Sequence, residues 1–207
     1  RRADTLNPTS LYPPLVNPSS STEVALAVAR LRKQLTHQAQ LSADSRRLAN
    51  GDGFFAYAVG NARQHSDGRP YIEAAFAAGA QAVLYEADDA YVPPVERHNH
   101  TLGVKKLGWY AGEIASAWYG QPSQSLSVIG VTGTNGKTSC ALWLAQALAH
   151  IGQRCGVIGT LGAGWPDDLQ ATGFTTPDAV QLQRIYKQFL TRGAKAVTLE
   201  VSSHGLE

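Results

Sequence analysis

The stretch GVTGTNGKT at residues 130–138 lies between a predicted strand and a predicted helix. Glycines let a loop turn tightly between a strand and a helix, so that its N–H groups and the helix N-terminus can surround a phosphate. Lys137 supplies a positive charge for the β- and γ-phosphates, and the Thr138 hydroxyl is a ligand for Mg²⁺. Val131 stands where the usual G-x-x-x-x-G-K-[ST] pattern has its first glycine. A solvated, glycine-rich helix cap is the simpler alternative, but Gly-Lys-Thr between a strand and a helix favours a nucleotide site.

The segments around this loop alternate between strands and helices. We predict strands at residues 127–131, 155–158 and 196–201, and helices at residues 137–151 and 178–191. Strands and helices that alternate with short connections are typical of an α/β fold built on a parallel, doubly wound sheet. The sequence therefore predicts a parallel-sheet P-loop domain in the second half of the chain.

Glu200 ends the apolar run at residues 196–199, at the carboxyl edge of the third predicted strand. Doubly wound sheets bind ligands at the carboxyl edge, where a carboxylate can hold Mg²⁺ directly or through water. The alternative is a strand-end glutamate that faces solvent, and the neighbouring Ser202, Ser203 and His204 argue against it. His204 is a single histidine after a strand, so a structural role fits it equally well.

The sequence TTPD at residues 175–178 has the pattern of a helix start. We expect Thr176 as the N-cap, Pro177 at the first helical position and Asp178 in the first turn. Because a helix N-terminus with free hydroxyls also binds anions, Thr175 and Thr176 are candidate substrate contacts.

The residues before the loop predict a smaller α/β domain. Residues 1–20 hold four of the ten prolines and are interpreted as a flexible entry segment. We assign residues 21–104 to an N-terminal domain and residues 105–207 to the first part of a central domain. Apolar spacing places helices and strands in this region. The helices are predicted at 21–35, 71–78 and 107–119, and the strands at 40–43, 53–59 and 81–85.

The composition excludes several classes of protein. Of the 207 residues, 43% are apolar and 16% are charged, which is typical of a globular protein. The net charge of +2 argues against a nucleic-acid partner. No apolar run reaches the ~18–20 residues that cross a membrane. Cys140 and Cys155 cannot form a disulfide framework, so we expect packed thiols in a reducing compartment. Because the chain contains no methionine, we expect it to be a piece of a longer protein.

Three stretches, taken in order, resemble the Mur ligase family, and most closely its MurE type, the UDP-N-acetylmuramoyl-tripeptide synthetases. They are TGTNGKT at 132–138, TTPD at 175–178 and EVSSHGL at 200–206. Four earlier stretches resemble the UDP-binding N-terminal domain of the same family. They are DSR at 44–46, GDGFFA at 51–56, DGR at 67–69 and AGAQAV at 78–83. Together these stretches span most of residues 41–207.

The resemblance implies a small UDP-binding domain, a central ATP-binding domain and a Rossmann-like C-terminal domain, the last absent from this chain. It implies that Lys137, Glu200 and His204 act in catalysis, and that Thr138 and Glu200 bind Mg²⁺. The expected ATP contacts are Gly133, Thr134, Asn135, Gly136, Lys137, Thr138 and Ser139. The expected substrate contacts are Ala43, Ser45, Arg46, Gln64, His65, Ser66, Thr175, Thr176, Ser202 and Ser203.

The reaction implied by the resemblance is ATP-dependent amide formation through an acyl phosphate. Its substrates are UDP-N-acetylmuramoyl-L-alanyl-D-glutamate and a third amino acid, either meso-diaminopimelate or L-lysine. We expect a cytoplasmic monomer that works in peptidoglycan synthesis without a nucleic-acid or membrane partner. Because the amino-acid-selecting domain is not in this chain, we expect the chain alone to be inactive.

Two other interpretations remain open from the sequence. One is another ligase of the superfamily, of the MurF type or similar to cyanophycin synthetase, and the stretch at residues 200–206 argues against both. The other is a non-catalytic P-loop nucleotide-binding module. A GTP switch would carry an Asn-Lys-x-Asp sequence, which does not occur in these 207 residues.

Overall fold

A computed structural model of the chain describes residues 20–61, 64–87 and 99–202. The helices in this part of the chain are α1 (Ser20–Gln34), α2 (Ile72–Ala77), α3 (Leu107–Trp118), α4 (Lys137–His150) and α5 (Ala179–Thr191). The first strands are β1 (Leu41–Ser42), β2 (Gly53–Ala56), β3 (Ala58–Asn61), β4 (Gln64–Asp67), β5 (Ala82–Glu86) and β6 (Thr101–Val104). The later strands are β7 (Ser127–Val131), β8 (Cys155–Gly159), β9 (Gly162–Trp165), β10 (Asp168–Gln170) and β11 (Ala196–Glu200).

The first sheet has the order β1-β2-β5-β6, and all its neighbouring strands are parallel. Its strands are apolar on both faces, as expected for a parallel sheet that is covered on both sides. One face, with Phe55 and Leu84, packs in a core with residues of α1 and α3. The other face, with Phe54 and Val83, packs against α2. The predicted α/β character of this region is confirmed.

A β-hairpin extends the first half of the chain beyond the predicted elements. The predicted strand at 53–59 is in fact two strands, because β2 ends at Ala56 and β3 begins at Ala58. β3 then pairs antiparallel with β4, with Gly60 opposite His65. The sequence did not predict β4 because its residues (QHSD) are all polar and give no hydrophobic alternation.

The second sheet has the order β10-β9-β8-β11-β7. β7, β11 and β8 are parallel, as predicted, with β11 in the middle. β9 and β10 add an antiparallel edge, so the sheet is mixed rather than wholly parallel. The sequence did not predict these two strands because β9 (GAGW) and β10 (DLQ) are short and lack β-branched residues.

Helices cover both faces of the second sheet. Val157 and Ala196 pack in one core with Ala145 of α4. Ile158 and Val197 lie in another core with residues of α5. β11 is buried along its whole length between these two layers. The sandwich therefore holds the end of this strand, and the glutamate on it, in a fixed position.

The start of α5 differs from the prediction. Asp178, and not Thr176, is the N-cap, and its carboxylate accepts hydrogen bonds from Val180 N and Gln181 N. An aspartate reaches the free N–H groups of the first turn from this position. The shift leaves the Thr176 hydroxyl available for contacts elsewhere.

α3 connects the two halves of the chain. Leu107 and Ile114 of α3 lie in the core of the first sheet, and that core also includes Val180 of α5. α3 and α5 approach closely at Gly112, where an added Cβ would lie 3.2 Å from Cβ of Ala179. The domain boundary at residue 105 stays a prediction. α3 follows this boundary in sequence, but it packs against the first sheet, which precedes the boundary.

Within the described residues, no helix combines the length and apolar character that a membrane crossing requires.

Candidate ATP and nucleotide-sugar site

The parallel strands bring three chain segments to one edge of the second sheet. β7 ends at Val131, β8 at Gly159 and β11 at Glu200. Glu200 is in register with Val131, and Leu199 is in register with Ile158. Because the three strands run in the same direction, their carboxyl ends and the loops that follow lie side by side.

The glycine-rich loop leads directly from β7 into α4. Gly136 occupies the N-cap position with φ 78°, a left-handed conformation that glycine adopts without strain. The first N–H groups of α4 have no acceptor within the helix, and they open onto this loop. The ammonium group of Lys137 donates a 2.8 Å hydrogen bond to the carbonyl oxygen of Gly133. The geometry is that of a phosphate-binding turn at a helix N-terminus.

The residues that we predict to contact ATP lie in this loop and in the first turn of α4. Residues 132–136 are exposed, and Lys137 and Thr138 are half-buried at the start of α4. Thr138 points inward to the strand edge, while Ser139 and Cys140 are exposed on the helix. The expectation of a packed Cys140 is wrong, whereas Cys155 is buried in β8.

The Glu200 carboxylate is buried at the centre of this edge. The residue is only 1% exposed, which excludes the alternative interpretation of a strand-end glutamate that faces solvent. Its Oε2 accepts hydrogen bonds from the hydroxyls of Thr138 (2.9 Å) and Thr160 (3.2 Å), and its Oε1 accepts one from Thr160 N (3.2 Å). No lysine or arginine of the described chain lies within ion-pair distance of it. A buried carboxylate without a positive partner is a candidate metal ligand.

Gly159 makes the space for this carboxylate. A Cβ added at Gly159 would lie 2.0 Å from Oε1 of Glu200. A close approach of this kind allows only glycine at the end of β8. The Glu200 side chain can therefore take its observed position only because residue 159 is a glycine.

The oxygen atoms at this edge suit Mg²⁺. In the described residues there is no cluster of three or more His, Cys, Asp or Glu side chains that would hold a metal on its own. Mg²⁺ is commonly held by one or two carboxylates together with phosphate oxygens and water. Glu200 and the hydroxyls of Thr138 and Thr160 supply hard oxygen donors of that type.

The TTPD segment joins the same site. The hydroxyl of Thr175 lies 3.2 Å from the hydroxyl of Thr160. The hydroxyl of Thr176 donates to the carbonyl oxygen of Glu200 (3.0 Å) and accepts from Ser202 N (3.1 Å). Thr175, Thr176 and Ser202, predicted as substrate contacts from separate motifs, are therefore neighbours around the end of β11.

A second cleft, of about 550 Å³, lies at the carboxyl end of the first sheet. Four of the predicted substrate contacts line it together with aromatic residues. They are Ala43, Ser45, Arg46 and Ser66, with Phe54, Tyr57 and Tyr71. Asp178 at the N-terminus of α5 also lines the cleft, so the TTPD segment lies between it and the phosphate loop.

Asp44 lies at the entrance to this cleft, which we name the uridine cleft after the ligand that the sequence resemblance predicts for it. Its carboxylate pairs with both Nε and Nη2 of Arg46, each at 2.9 Å. The hydrogen bond from the Arg46 side chain holds the pKa of Asp44 below its ordinary value. Deep in the cleft, burial raises the pKa of Tyr57, with smaller effects from Asp178 and Glu86. The cleft therefore presents a neutral aromatic hydroxyl and a guanidinium group held at the rim.

Four predicted site residues have no described side chain. Gln64 and His65 lie on β4, but only their backbone is described. Ser203 and His204 lie outside the described residues. Their predicted roles stay predictions.

Four residues of the candidate site were not predicted from the sequence: Tyr57, Tyr71, Thr160 and Asp178. Thr160 follows directly after β8, so the rule that strand ends carry ligand contacts was a signal for it. Asp178 was considered only for its place in the helix. Nothing in the pattern around Tyr57 and Tyr71 distinguishes them from core aromatic residues.

Comparison with known proteins agrees with this geometry. Residues 131–207 match the family described as the Mur ligase middle domain. The chain is 53% identical over 178 residues to a UDP-N-acetylmuramoyl-L-alanyl-D-glutamate–2,6-diaminopimelate ligase of Ralstonia nicotianae, covering 86% of the chain and 34% of that protein. A Pseudomonas aeruginosa protein of the same name is 46% identical over 169 residues, covering 81% of the chain and 34% of that protein. The chain thus spans about a third of the length of these relatives.

Solved structures show the same fold. One, of a UDP-N-acetylmuramoyl-L-alanyl-D-glutamate–2,6-diaminopimelate ligase, matches with a TM-score of 0.61 and 34% identity over 81% of this chain and 32% of that one. Another, a Thermotoga maritima MurF ligase in complex with ADP, matches with a TM-score of 0.52 and 21% identity, covering 81% and 33% of the two chains. At that identity the second match shows a shared fold only.

Proposed function

The chain is a relative of the Mur ligases of the diaminopimelate-adding type, and from this premise we propose that it forms the ATP- and UDP-binding part of such a ligase. The proposed reaction joins 2,6-diaminopimelate to UDP-N-acetylmuramoyl-L-alanyl-D-glutamate with hydrolysis of ATP. The product is a peptidoglycan precursor. Because the precursors are UDP-linked metabolites, we place the reaction in the cytoplasm of a bacterium.

One observation carries this proposal beyond the sequence match. The Thr138 hydroxyl at the start of α4 and the buried Glu200 carboxylate at the end of β11 are joined by a 2.9 Å hydrogen bond. A threonine and a carboxylate in these positions are the usual Mg²⁺-binding pair of a P-loop enzyme. Three of the proposed substrate contacts lie around the end of the same strand. The Thr175 hydroxyl contacts that of Thr160, and the Thr176 hydroxyl contacts the carbonyl oxygen of Glu200 and the hydroxyl of Ser202.

The residues of the phosphate loop would align and neutralise the ATP phosphates. A substrate carboxylate attacks the γ-phosphorus, the bond to the β-γ bridging oxygen breaks, and ADP leaves. Lys137 neutralises oxygens of the β- and γ-phosphates, and the N–H groups at the start of α4 orient them. Mg²⁺, held by Thr138 and Glu200, would supply further neutralisation of the charge that develops on the phosphates. Phosphoryl transfer depends mainly on such alignment and charge neutralisation.

The second step makes the amide bond. The amine of the incoming amino acid attacks the acyl phosphate, and inorganic phosphate leaves. Thr175, Thr176 and Ser202 would hold the peptide part of the nucleotide-sugar near the γ-phosphate. The uridine cleft would hold the other end through Ser45, Arg46 and the neighbouring aromatic residues, since a guanidinium fork matches phosphate oxygens.

We further propose that the 207 residues bind substrates as a monomer but do not complete the reaction alone. The relatives are about three times as long as the aligned region. The part that selects between diaminopimelate and lysine is expected outside this chain. The names of the relatives favour diaminopimelate.

Calorimetric titration of the chain tests the binding part of this proposal. UDP-N-acetylmuramoyl-L-alanyl-D-glutamate and a non-hydrolysable ATP analogue with Mg²⁺ are titrated separately and then together. We expect one site for each ligand and no competition between them. Lys137→Ala should remove ATP binding and leave the nucleotide-sugar affinity unchanged. A chain that binds ATP but gives no binding heat with the UDP ligand would contradict the ligase assignment and favour a simple nucleotide-binding module.

A further inference from the structure

A third cleft shares no lining residue with the phosphate loop or the uridine cleft. It has a volume of about 390 Å³ and is formed by α5, the β9–β10 pair and Arg47 of the first half of the chain. Three guanidinium groups line it, from Arg47, Arg184 and Arg192, together with the amides of Gln170, Gln181 and Gln188. None of the described residues that line it is an aspartate or a glutamate.

Two of these positive charges lack a carboxylate partner. Arg47 is partly balanced, because its Nε lies 3.6 Å from Oδ2 of Asp44, and its Nη2 donates to the carbonyl oxygen of Thr172. For Arg184 and Arg192, by contrast, no carboxylate of the described chain lies within ion-pair distance. The Arg192 guanidinium instead lies 5.0 Å from the ring centre of Trp165. The cleft therefore carries uncompensated positive charge.

Arg184 also has a buried donor without an acceptor. Its Nε is inaccessible to solvent and has no hydrogen-bond partner in the described part of the chain. Buried polar groups are nearly always hydrogen-bonded in folded proteins, and each exception calls for an explanation. Arg184 also lines the cleft, so a bound anion would accept from those N–H groups of this guanidinium that are open to the cleft.

The cleft is separate from the phosphate loop. β9 runs antiparallel to β8, so Gly164 lies further from the carboxyl edge of the sheet than Gly162. Arg192 follows the C-terminal end of α5, whereas the TTPD segment precedes its N-terminal end. The proposed ATP site therefore lies at the other end of α5 from Arg192.

We propose that this cleft, which we name the arginine cleft, binds a small phosphorylated metabolite that carries more than one negative charge. Guanidinium groups bind phosphate oxygens through paired N–H donors, and the glutamine amides add neutral donors. The ligand would contact Arg47 from the first half of the chain and Arg184 and Arg192 from α5. Its binding would thereby hold the two halves together.

Pyrophosphate is a suitable probe, and calorimetry is the measurement. Because the phosphate loop also binds pyrophosphate, the titration uses the Lys137→Ala chain in excess UDP, so that the other two anion sites are removed or filled. We expect one pyrophosphate per chain. In the same background, Arg192→Gln and Arg184→Gln should each weaken binding at least tenfold. Lys187→Gln, an exposed charge change on α5 outside the cleft, should leave it unchanged.

The design separates the arginine cleft from the other sites. Arg192 is exposed, so Arg192→Gln should keep the fold, which circular dichroism and the melting temperature verify. If the Lys137→Ala chain binds no pyrophosphate, or if binding is the same with and without Arg192→Gln, the proposal is overturned. Neither outcome would affect the proposed ligase function, which depends on Lys137 and the uridine cleft.

Discussion

The Thr138 hydroxyl donates a 2.9 Å hydrogen bond to Oε2 of Glu200, across 62 residues of sequence. Thr138 lies in the first turn of α4 and Glu200 ends β11, and the parallel pairing of β7 with β11 brings them together. Glu200 also accepts from both the N–H and the hydroxyl of Thr160. A buried carboxylate with three such donors beside a phosphate loop is the centre of the proposed active site.

Glu200→Gln should weaken binding of ATP in the presence of Mg²⁺ by about tenfold, a loss of about 1.4 kcal/mol. The substitution keeps the size of the side chain but removes the negative charge that binds the cation. Binding of ADP without Mg²⁺ should change little, because Lys137 and the loop remain. Calorimetry with and without Mg²⁺ measures both. An equal loss under both conditions would show that Glu200 holds the loop in place and does not bind the metal.

Gly159→Ala should displace the Glu200 carboxylate, since the new Cβ would lie 2.0 Å from Oε1. Overpacking of this kind costs about 1–3 kcal/mol of unfolding free energy. Mg²⁺-dependent ATP affinity should fall as well. Gly108→Ala is the matched control, because its Cβ would lie 3.4 Å from its nearest neighbour, on Tyr57. Equal stability of the two variants in urea denaturation would contradict the tight contact at Gly159.

Arg46→Ala should weaken UDP binding about tenfold, because it removes the guanidinium at the rim of the uridine cleft. Lys33→Ala removes a positive charge from the exposed face of α1 and serves as the control for long-range charge effects. Titration with UDP measures both variants. If the two lose the same small amount of affinity, Arg46 acts through net charge alone and makes no direct contact.

Tyr119→Phe should destabilise the chain by about 1–3 kcal/mol. The Tyr119 hydroxyl accepts a 2.8 Å hydrogen bond from Leu41 N at the first sheet, and phenylalanine would leave this buried N–H without its partner. Tyr110→Phe on α3, the helix that Tyr119 follows, is the control, with an expected change within about 0.5 kcal/mol. Urea denaturation gives both values. No difference between the two would mean that Leu41 N finds another partner.

The same tyrosine predicts a stability change at high pH. Burial raises the pKa of Tyr119 to about 12 from its ordinary value of 10.0. Because the folded pKa is the higher one, the stabilisation is complete below pH 10.0 and is lost as the pH rises through about 12. The wild-type chain should therefore lose stability over this range relative to Tyr119→Phe. If the unfolding free energies of the two chains changed equally with pH over this range, a buried, neutral Tyr119 would be contradicted.

Much of the fold could be predicted from the sequence because local signals agree with it. β7 was predicted with its observed bounds, and α4 and β11 differ from their predictions by one residue at their ends. The β9–β10 pair was missed, since its pairing partner β8, rather than its own composition, makes it a strand. The N-cap of α5 was misplaced because threonine and aspartate are both good caps, and only the tertiary contact of Thr176 with Glu200 separates them.

The candidate site was predictable where a motif places a residue at a strand end or in the loop. Lys137, Thr138 and Glu200 are residues of this kind. Thr160 required the strand order, which sets β8 next to β11, and Tyr57 required the shape of the uridine cleft. Those contacts join residues that are distant in sequence, and the hydrophobic periodicity of the sequence cannot predict which distant residues meet.

Phosphate release by a chimeric ligase would show directly whether this chain supplies the ATP- and UDP-binding part of a ligase. In it, the aligned region of this chain replaces its counterpart in the Ralstonia nicotianae relative, to which it is 53% identical. With ATP, Mg²⁺ and UDP-N-acetylmuramoyl-L-alanyl-D-glutamate, we expect phosphate release that depends on diaminopimelate and is abolished by Lys137→Ala. A chimera that binds ATP and the UDP substrate, yet releases no phosphate with diaminopimelate or lysine, would contradict the assignment of this chain to a ligase.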